Sequence, residues 1–573
     1  MEAEKKEGLA RLGIIQVLVS GGDDDDNNDN AADNNEKGDE HLTKAVDLTK
    51  LPFTRALLMA TLYVALYLPT LNQTVVSNAL PKILSDINKF GSDIGYTWVG
   101  SAYALAQAMA LPLFGQLGRT PSRKWALLVA MVVFMIGSIL CGTAVNIEML
   151  LAARTVQGLG AGGISGVLFV LLGDMIRVRG AGKYNELYGA VCAVVTAIGP
   201  LIGGTLADRA SWRWCFFLNL PVCVVCTAVI WLLLPNTDTT ATVSRAVRLF
   251  DLWGVTAIGI GKVLITLAIQ WAISNSSWQS PQVLTTLLAG AAAVIAFFPA
   301  EATAESPVVP LRFFKHRTRV GAYIAVFFHS VSFSGLNYWL PMYFQAVRQQ
   351  KSSESGLSML PWTLSFAIMS AATGIVVVKS RRYQVFIWSG FLIATIAFAC
   401  LTLLFPTTST AVTSVMLVIG GLGVGPNFNA PLFPIHASFD TSDSDYVSIL
   451  SHSTSAYAFM RSLGSSIGIT ASGLVFFEDL SKHQLPSLSV FNLTQAIEYS
   501  DLLTEMEEQA NVEVLQTAMQ HVFIQVCITM CCGLLLSLLI RRHQFNNDEQ
   551  EEDEDEVIPR GVPRVDSFGT EDG

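Results

Sequence analysis

Five ionisable residues lie within or at the ends of long apolar segments of this 573-residue chain. Arg154, Lys262, His329 and Arg461 fall inside such segments, and Asp174 lies near the end of one. Charged groups at membrane depth usually face protein or water, and they often mark the path of a proton or an ion. A histidine can titrate near neutral pH, although a lone histidine in a membrane helix is more often simply hydrogen-bonded. Asp174 is a candidate for proton exchange with water or, alternatively, a helix cap.

These residues are set in a chain whose composition is typical of a membrane protein. Hydrophobic residues make up 51% of it and charged residues only 14%. About 20 apolar residues are needed to cross about 30 Å of hydrocarbon. Windows of this kind recur along the sequence and predict an all-α membrane protein with fourteen transmembrane helices. The predicted spans are 55–74, 96–114, 125–145, 149–173, 185–207, 214–234, 251–272, 284–300, 320–340, 356–378, 384–405, 411–434, 446–476 and 521–540.

The charge of the connections predicts the orientation of the spans. Lys and Arg cluster after the second, fourth, eighth and tenth spans, and such loops stay on the cytoplasmic side. Both termini are then cytoplasmic, and the long loop 477–520 faces the other side. This loop contains Asn492 in an Asn-x-Thr sequon, a candidate glycosylation site. Residues 1–50 and 544–573 are acidic and poor in large apolar residues, so we expect disordered tails.

One predicted span contains residues that a soluble helix would not tolerate. Gly199-Pro200 and Gly203-Gly204 lie within the span 185–207. Proline inside a helix costs roughly 3 kcal/mol, and each mid-helix glycine costs up to about 1 kcal/mol. Membrane helices accept both residues where neighbours pack closely. The segment therefore predicts a helix that bends and contacts a partner.

A second glycine-rich run indicates packing and not cofactor binding. Gly158–Gly163 satisfies G-x-G-x-x-G, but it lies inside a predicted span and lacks the strand that a dinucleotide site requires. The nine cysteines fall in or beside predicted spans and act as small apolar residues. The sequence thus predicts no cofactor, no metal site, no nucleic-acid partner and no enzyme active site.

Several motifs resemble those of the drug–proton antiporters of the major facilitator superfamily, in particular the fourteen-helix branch. The span with Gly199-Pro200 is similar to the G-P-x-x-G-G element of these exporters, followed by W-R-W-x-F-x-x-N-x-P. Arg154-x-x-Gln157-Gly158 resembles their R-x-x-Q-G element. The other matching stretches are Leu71 to Pro81, the loop from Gly115 through Arg119 and Arg123 to Lys124, Phe250 to Gly254, Leu340 to Gln345, and Arg461 to Gly464.

The resemblance implies a major facilitator fold with two six-helix bundles, a cavity between them near the membrane midplane, and alternating access by rocking. The N-terminal bundle would cover 51–234 and the C-terminal bundle 320–543. The linker 235–319 would carry two extra central helices. On this basis Arg154 is the best functional candidate, because the family motif points it toward the bundle interior. Lys262 would lie on a peripheral helix and reach toward the membrane surface or form a structural pair.

The residues that would line this cavity mix amides with aromatic rings and offer no acidic ring for a cation. We therefore expect a bulky, mostly neutral amphiphile as the substrate. The candidate lining residues are Gln73, Tyr103, Gln107, Gln157, Asn337, Tyr338 and Asn427. The residues expected to support the conformational change are Gly115, Arg119, Arg123, Gly199, Pro200, Gly203 and Gly204.

Two departures from the family pattern concern proton coupling, which needs a side chain that titrates within the membrane. Asn72 stands where many relatives carry an aspartate, and a neutral amide cannot take that role. Arg119 stands where the loop motif has an aspartate. Proton antiport is therefore implied by the resemblance and lacks its usual site in the first helix. Arg154, Asn72, His329 and Asp174 are the candidates for proton coupling or transport.

Taken together, the sequence predicts a secondary transporter in the plasma membrane that exports an amphiphilic secondary metabolite, toxin, glycolipid or drug, in exchange for protons. Such a protein would confer multidrug resistance and, with Asn492 modified, would be a glycoprotein. Two alternatives remain open at this point. One is a vacuolar permease for basic amino acids, and the other is a transporter-like sensor or scaffold that no longer transports.

Overall fold

The computed structural model describes residues 52–87, 95–118, 123–177, 195, 198–234, 252–274, 278–303, 311–380, 382–439, 446–482 and 505–541. Regular structure in these residues is helical, without a strand. From Phe53 onward they belong to one compact unit. A helix overlaps each predicted span. The helices are α1 (Pro52–Ile87), α2 (Gly95–Gly118), α3 (Arg123–Gly142), α4 (Ile147–Arg177), α5 (198–209), α6 (Trp214–Leu233), α7 (Leu252–Ser274), α8 (Pro281–Thr303), α9 (Arg317–Met342), α10 (Leu360–Ser380), α11 (Tyr383–Leu401), α12 (Thr410–Asn427), α13 (Tyr446–Lys482) and α14 (Glu505–Ser537).

Among the described residues, 10 helices are long and apolar enough to cross a membrane. The helices α2, α5, α7 and α13 are not among them. In α2 the apolar residues alternate with Gly, Tyr and Gln, and α13 is rich in Ser and Gly. These two helices pack against each other, and membrane helices that approach closely favour small and weakly polar residues. The all-α membrane class is thus confirmed, and the count of fourteen spans stays a prediction.

Helix α2 packs mainly against α4, and the glycine run of α4 explains how closely they approach. A Cβ atom at Gly158 would collide with the carbonyl oxygen of Tyr103, and one at Gly162 with that of Gln107. On the opposite face, a Cβ atom at Gly160 would meet the backbone of Phe134 in α3. Only glycine allows backbones this near. The run therefore serves helix packing, as its position in a span predicts.

The remaining contacts group the helices of each half and join the halves. In the C-terminal part α9 packs against α13 and α14, α10 against α12, and α11 against α12 and α14. The pair α2 and α13 joins the two parts, with α7 packed against both and against α8. The described contacts thus give α7 a position beside the junction.

Short irregular segments extend two helices at their C-terminal ends. Helix α9 continues as one π-helical turn, Tyr343–Val347, which leads to the short helix Ser352–Ser358. Helix α12 is followed by the short helix Leu432–His436. A π-turn changes the direction of side chains within a helix and often marks a functional region.

Candidate functional site

Arg154 lies in the interior of the N-terminal half, and neutral groups satisfy its guanidinium. It is 1% exposed. Its Nη1 donates to Oδ1 of Asn72 over 2.6 Å and to Oε1 of Gln157 over 2.7 Å, while Nε donates to the carbonyl of Val99 over 3.2 Å. The guanidinium also lies 4.2 Å from the centre of the Tyr103 ring, a cation–π contact. One side chain therefore connects α1, α2 and α4.

Helix geometry explains why the network forms. Arg154 and Gln157 are three residues apart and share one face of α4. Gln157 in turn donates from Nε2 to Oγ of Ser138 in α3 over 2.8 Å. Tyr103 donates its hydroxyl proton to the carbonyl of Pro69, where α1 holds a proline. Asn72 accepts from Arg154, but its Nδ2 is buried without a partner among the described residues.

The candidate lining residues divide into two groups in the N-terminal half. Tyr103 and Gln157 are fully buried in the arginine network. Gln73 and Gln107 are half-buried. Tyr103 and Gln157 thus contact Arg154, whereas Gln73 and Gln107 keep part of their surface exposed. Their role in lining a cavity stays a prediction.

In the C-terminal half an aromatic cluster surrounds His329 and Arg461. His329 is 1% exposed, and its Nε2 lies 3.2 Å from the carbonyl oxygen of Val424. Its ring stacks on Phe333, with centroids 6.0 Å apart. Arg461 donates to the carbonyl of Phe428 and lies over the ring of the same residue. His329 is thus hydrogen-bonded within the bundle, the simpler of its two readings.

Asn427, Asn337 and Tyr338 occupy different places in this half. Asn427 is fully buried, with its amide against the backbone of α11 and α12. Asn337 accepts a hydrogen bond from Nε1 of Trp362 over 3.3 Å. Tyr338 donates its hydroxyl to the carbonyl of Tyr96 in α2 over 2.6 Å. Tyr338 is therefore a contact between the two halves.

A second contact between the halves centres on Asn78 in α1. Its Nδ2 donates to the carbonyl of Pro200 over 2.7 Å and to that of Ser352 over 3.0 Å. Its own carbonyl accepts from Nε2 of Gln345 over 3.0 Å, and its Oδ1 accepts from Oγ of Ser355 over 2.9 Å. We call these five residues the Asn78 cluster.

The glycine-proline motif of α5 makes this cluster possible. A Cβ atom at Gly199 would collide with Oγ1 of Thr74, and one at Gly203 with the carbonyl of Val75, so both glycines bring α5 onto α1. A Cβ atom at Gly204 would collide with the carbonyl of Ser352. The motif therefore contacts partners, as the sequence predicts, and one of them belongs to the other half of the protein.

Some predicted residues are described only in part or not at all. Arg119, Asn492 and the tails 1–50 and 544–573 lie outside the described residues, as does the side chain of Asp174. Arg123 begins α3, and Gly115 lies in α2 where a Cβ atom would be 3.8 Å from the carbonyl of Gly166. Their roles stay predictions.

Sequence reasoning missed the contribution of Ser352 and Ser355. Both lie in a short polar connection that reads as an ordinary loop. The available signal was Gln345, which closes the family-like L-P-M-Y-F-Q stretch and lies in the π-turn beside them. The contacts of these serines come from α1 and α5, more than 100 residues away.

Comparison with known proteins agrees with this architecture. The sequence pattern of the Major Facilitator Superfamily matches residues 56–255 and 252–469. The MFS-type transporter ppz2 of Metarhizium majus is 35% identical over 435 residues, which are 76% of this chain and 73% of that protein. The efflux pump dotC of Dothistroma septosporum is 32% identical over 428 residues, which are 74% of this chain and 72% of that protein.

Solved structures show the same fold. A bacterial homolog of the human lysosomal transporter Spinster, in an inward-facing and unoccupied conformation, matches with a TM-score of 0.56 at 16% identity. The match covers 87% of this chain and 100% of that one. The human organic anion transporter MFSD10 matches with a TM-score of 0.52 at 15% identity, over 85% of this chain and 100% of that one. The major facilitator fold and the prediction of a transporter are confirmed, and the chain belongs to the Major Facilitator Superfamily of membrane transporters.

Proposed function

We propose that this protein exports an amphiphilic small molecule of the secondary-metabolite or toxin class, by alternating access coupled to protons. The observation that carries the export direction is the similarity to fungal proteins named as efflux pumps. Besides dotC, they include the efflux pump FUS6 of Gibberella fujikuroi, 33% identical over 74% of this chain, and an acurin A biosynthesis cluster transporter of Aspergillus aculeatus, 32% identical over 72%.

The site geometry supports a mostly neutral cargo. The acceptors of the Arg154 guanidinium are amides and a carbonyl, so its charge is already accommodated inside the N-terminal half. The half-buried Gln73 and Gln107 offer amides, and the half-buried Phe333 belongs to the aromatic cluster of the C-terminal half. Amides with aromatic rings suit an amphiphile with a flat apolar part and neutral polar groups.

The contacts between the halves are the ones that would change during alternating access. The Asn78 cluster and the Tyr338–Tyr96 hydrogen bond both connect the N-terminal half to segments that follow α9 or belong to it. Under the predicted orientation they lie near the non-cytoplasmic surface, and they would break when the cavity opens outward. We place the protein in the plasma membrane with both termini in the cytoplasm.

A deletion strain tests the proposal directly. Metabolites inside and outside the cells are compared between that strain and its parent, with and without a protonophore. We expect one amphiphilic metabolite to accumulate inside the deletion strain, and the protonophore to produce the same block in the parent. Identical profiles would overturn export. Accumulation without any effect of the protonophore would overturn proton coupling alone.

A further inference from the structure

The amine of Lys262 in α7 lies inside the protein without a hydrogen-bond partner. The residue is 5% exposed, and its Nζ is buried with no acceptor among the described residues. A lysine that reached toward the membrane surface would place its amine in water. The structure therefore differs from both readings favoured by the sequence, the surface-directed side chain and the structural pair.

The environment disfavours the charged form of this side chain. An ammonium group carries three donors, and burial of a charge without partners is strongly unfavourable. The neutral amine, by contrast, can remain in such a place. In that neutral form the amine of Lys262 has a lone pair that can accept a proton.

Its position on α7 directs it toward the junction of the two halves. Gly259 lies three residues earlier, on the same face of the helix. A Cβ atom at Gly259 would be 2.7 Å from Cε of Met109 in α2. Helix α7 also packs against α13. Lys262 therefore lies on the face of α7 that is turned toward α2.

A second unpartnered polar group lies at the same height in this junction. The antiparallel register of α2 and α13 is set by the 3.1 Å contact of Ser101 Oγ with Thr470 Oγ1 and by Gly473 beside Thr97. Ser466 lies one helical turn before Thr470, on the side of Thr470 that is nearer to Met109 of α2. Because Lys262 lies one turn from Gly259, the neighbour of Met109, Ser466 and Lys262 are at a similar depth in the membrane. Its Oγ is buried and has no partner among the described residues.

The other charged side chains on the described helices packed against α7 lie away from Lys262, although one of them, Glu301, is also buried. Helix α2 contains no Asp, Glu, Lys, Arg or His, and Lys262 is the one such residue of α7. In α8, Val294 is the neighbour of Gly261. Glu301 lies seven residues beyond Val294, so the two residues are about 10 Å apart along the axis of α8.

The charged residues of α13 have their own contacts or lie far along the helix. Arg461 donates to Phe428 in the C-terminal half. Asp479 pairs with His521, and Glu478 with Lys482, near the end of the helix. His452 lies near the opposite end, about four turns before Ser466.

We infer that Lys262 binds and releases the coupling proton of this transporter, at the junction of α2, α7 and α13. The lone pair of the amine takes a proton from water when the two halves part along α2 and α13, with Ser466 Oγ as an acceptor for the ammonium. The proton returns to water on the other side when the junction closes. The inference rests on the proposed proton antiport.

Hydrogen–deuterium exchange of the full-length protein in lipid nanodiscs tests this inference without a substrate. Exchange of peptides covering 95–105 and 462–477 is compared at pD 8.5 and 5.5, after correction for the intrinsic exchange rate. In the wild type we expect exchange faster by about threefold at the lower pD, because protonation favours the open junction. Lys262→Met, similar in volume, should lose this difference, and Lys262→Arg should exchange rapidly at both values.

The control variant is Ile260→Met in the same helix, because Ile260 is 51% exposed and faces outward. It should retain the response of the wild type. A wild type without the pD response, or a Lys262→Met protein that keeps it, would overturn the inference. The two proposals can fail separately. If Lys262→Met loses the pD response but efflux is insensitive to the protonophore, proton antiport is rejected and Lys262 remains a proton-binding site.

Discussion

The amide oxygen of Asn72 accepts a hydrogen bond of 2.6 Å from Nη1 of Arg154, deep in the N-terminal half. The side chain that replaces the expected carboxylate thus keeps its function as an acceptor while giving up its charge. The proposed coupling to protons therefore needs a titratable group elsewhere.

Removal of the acceptor at this position should destabilise the protein. In Asn72→Leu the guanidinium of Arg154 would lose one of its hydrogen bonds in a buried place, at a cost of about 1–3 kcal/mol. We expect a lower thermal midpoint in detergent. Asn72→Asp is the matched control, because it restores an acceptor, and it should unfold at a higher temperature than Asn72→Leu. Equal midpoints for the two variants would show that this hydrogen bond contributes little.

Truncation of Arg154 should abolish transport. Arg154→Ala leaves the buried amides of Asn72 and Gln157 without their donor, so α1 and α4 lose their connection. We expect efflux below about a tenth of the wild-type rate, which corresponds to an activation free energy of transport raised by more than about 1.4 kcal/mol. Delivery of the variant to the membrane should be normal. The control is Thr155→Ala, which changes an exposed neighbour. Normal efflux by Arg154→Ala would remove this residue from the transport site.

Much of this network could be predicted from sequence, for a physical reason. The glycines of α4 and α5 follow local rules, since only close helix packing accounts for them inside a membrane span. The sequence likewise indicates Arg154, because an arginine in such a span is rare. Its partners Asn72 and Val99 come from other helices, and their distance along the chain hides them from any local pattern.

The burial of Lys262, by contrast, could not be predicted from the sequence. The sequence indicates an isolated lysine on an extra helix, for which exposure at the membrane surface is the natural expectation. Its burial follows from Gly259 and Gly261, which bring α7 close to α2 and α8 at once. The burial of Lys262 depends on tertiary packing, and it cannot be predicted from the helical periodicity of α7 alone.

Alanine at Gly204 should separate the halves. The new Cβ atom would collide with the carbonyl of Ser352, and overpacking of this kind costs about 1–3 kcal/mol. We expect slower efflux and a lower thermal midpoint. Gly374→Ala in α10 is the matched control, because nothing lies within 4 Å of its added Cβ atom. That variant should be neutral or slightly more stable. A similar loss in both variants would indicate a general effect of helix stiffness.

Loss of the Asn78 amide should loosen the contact between the halves. Asn78→Ala removes the hydrogen bonds to Pro200 and Ser352, each contributing about 0.5–1.5 kcal/mol. We expect hydrogen–deuterium exchange in residues 352–358 to increase by about tenfold. Ser85→Ala serves as the control, since the Ser85 hydroxyl donates to the carbonyl of Lys82 within α1. Unchanged exchange in Asn78→Ala would show that other contacts hold the short helix in place.

The Asn78 cluster has a consequence for how this transporter can evolve. Its acceptors at Pro200 and Ser352 are carbonyl oxygens of the main chain, and Tyr338 likewise donates to a main-chain oxygen. Mutation of a side chain does not delete a main-chain acceptor. Substitutions in the neighbouring loops can therefore change cargo preference while the hydrogen bonds between the halves are kept. A saturation mutagenesis screen should find gating defects concentrated at the donor side chains and at the glycines that allow the close approach.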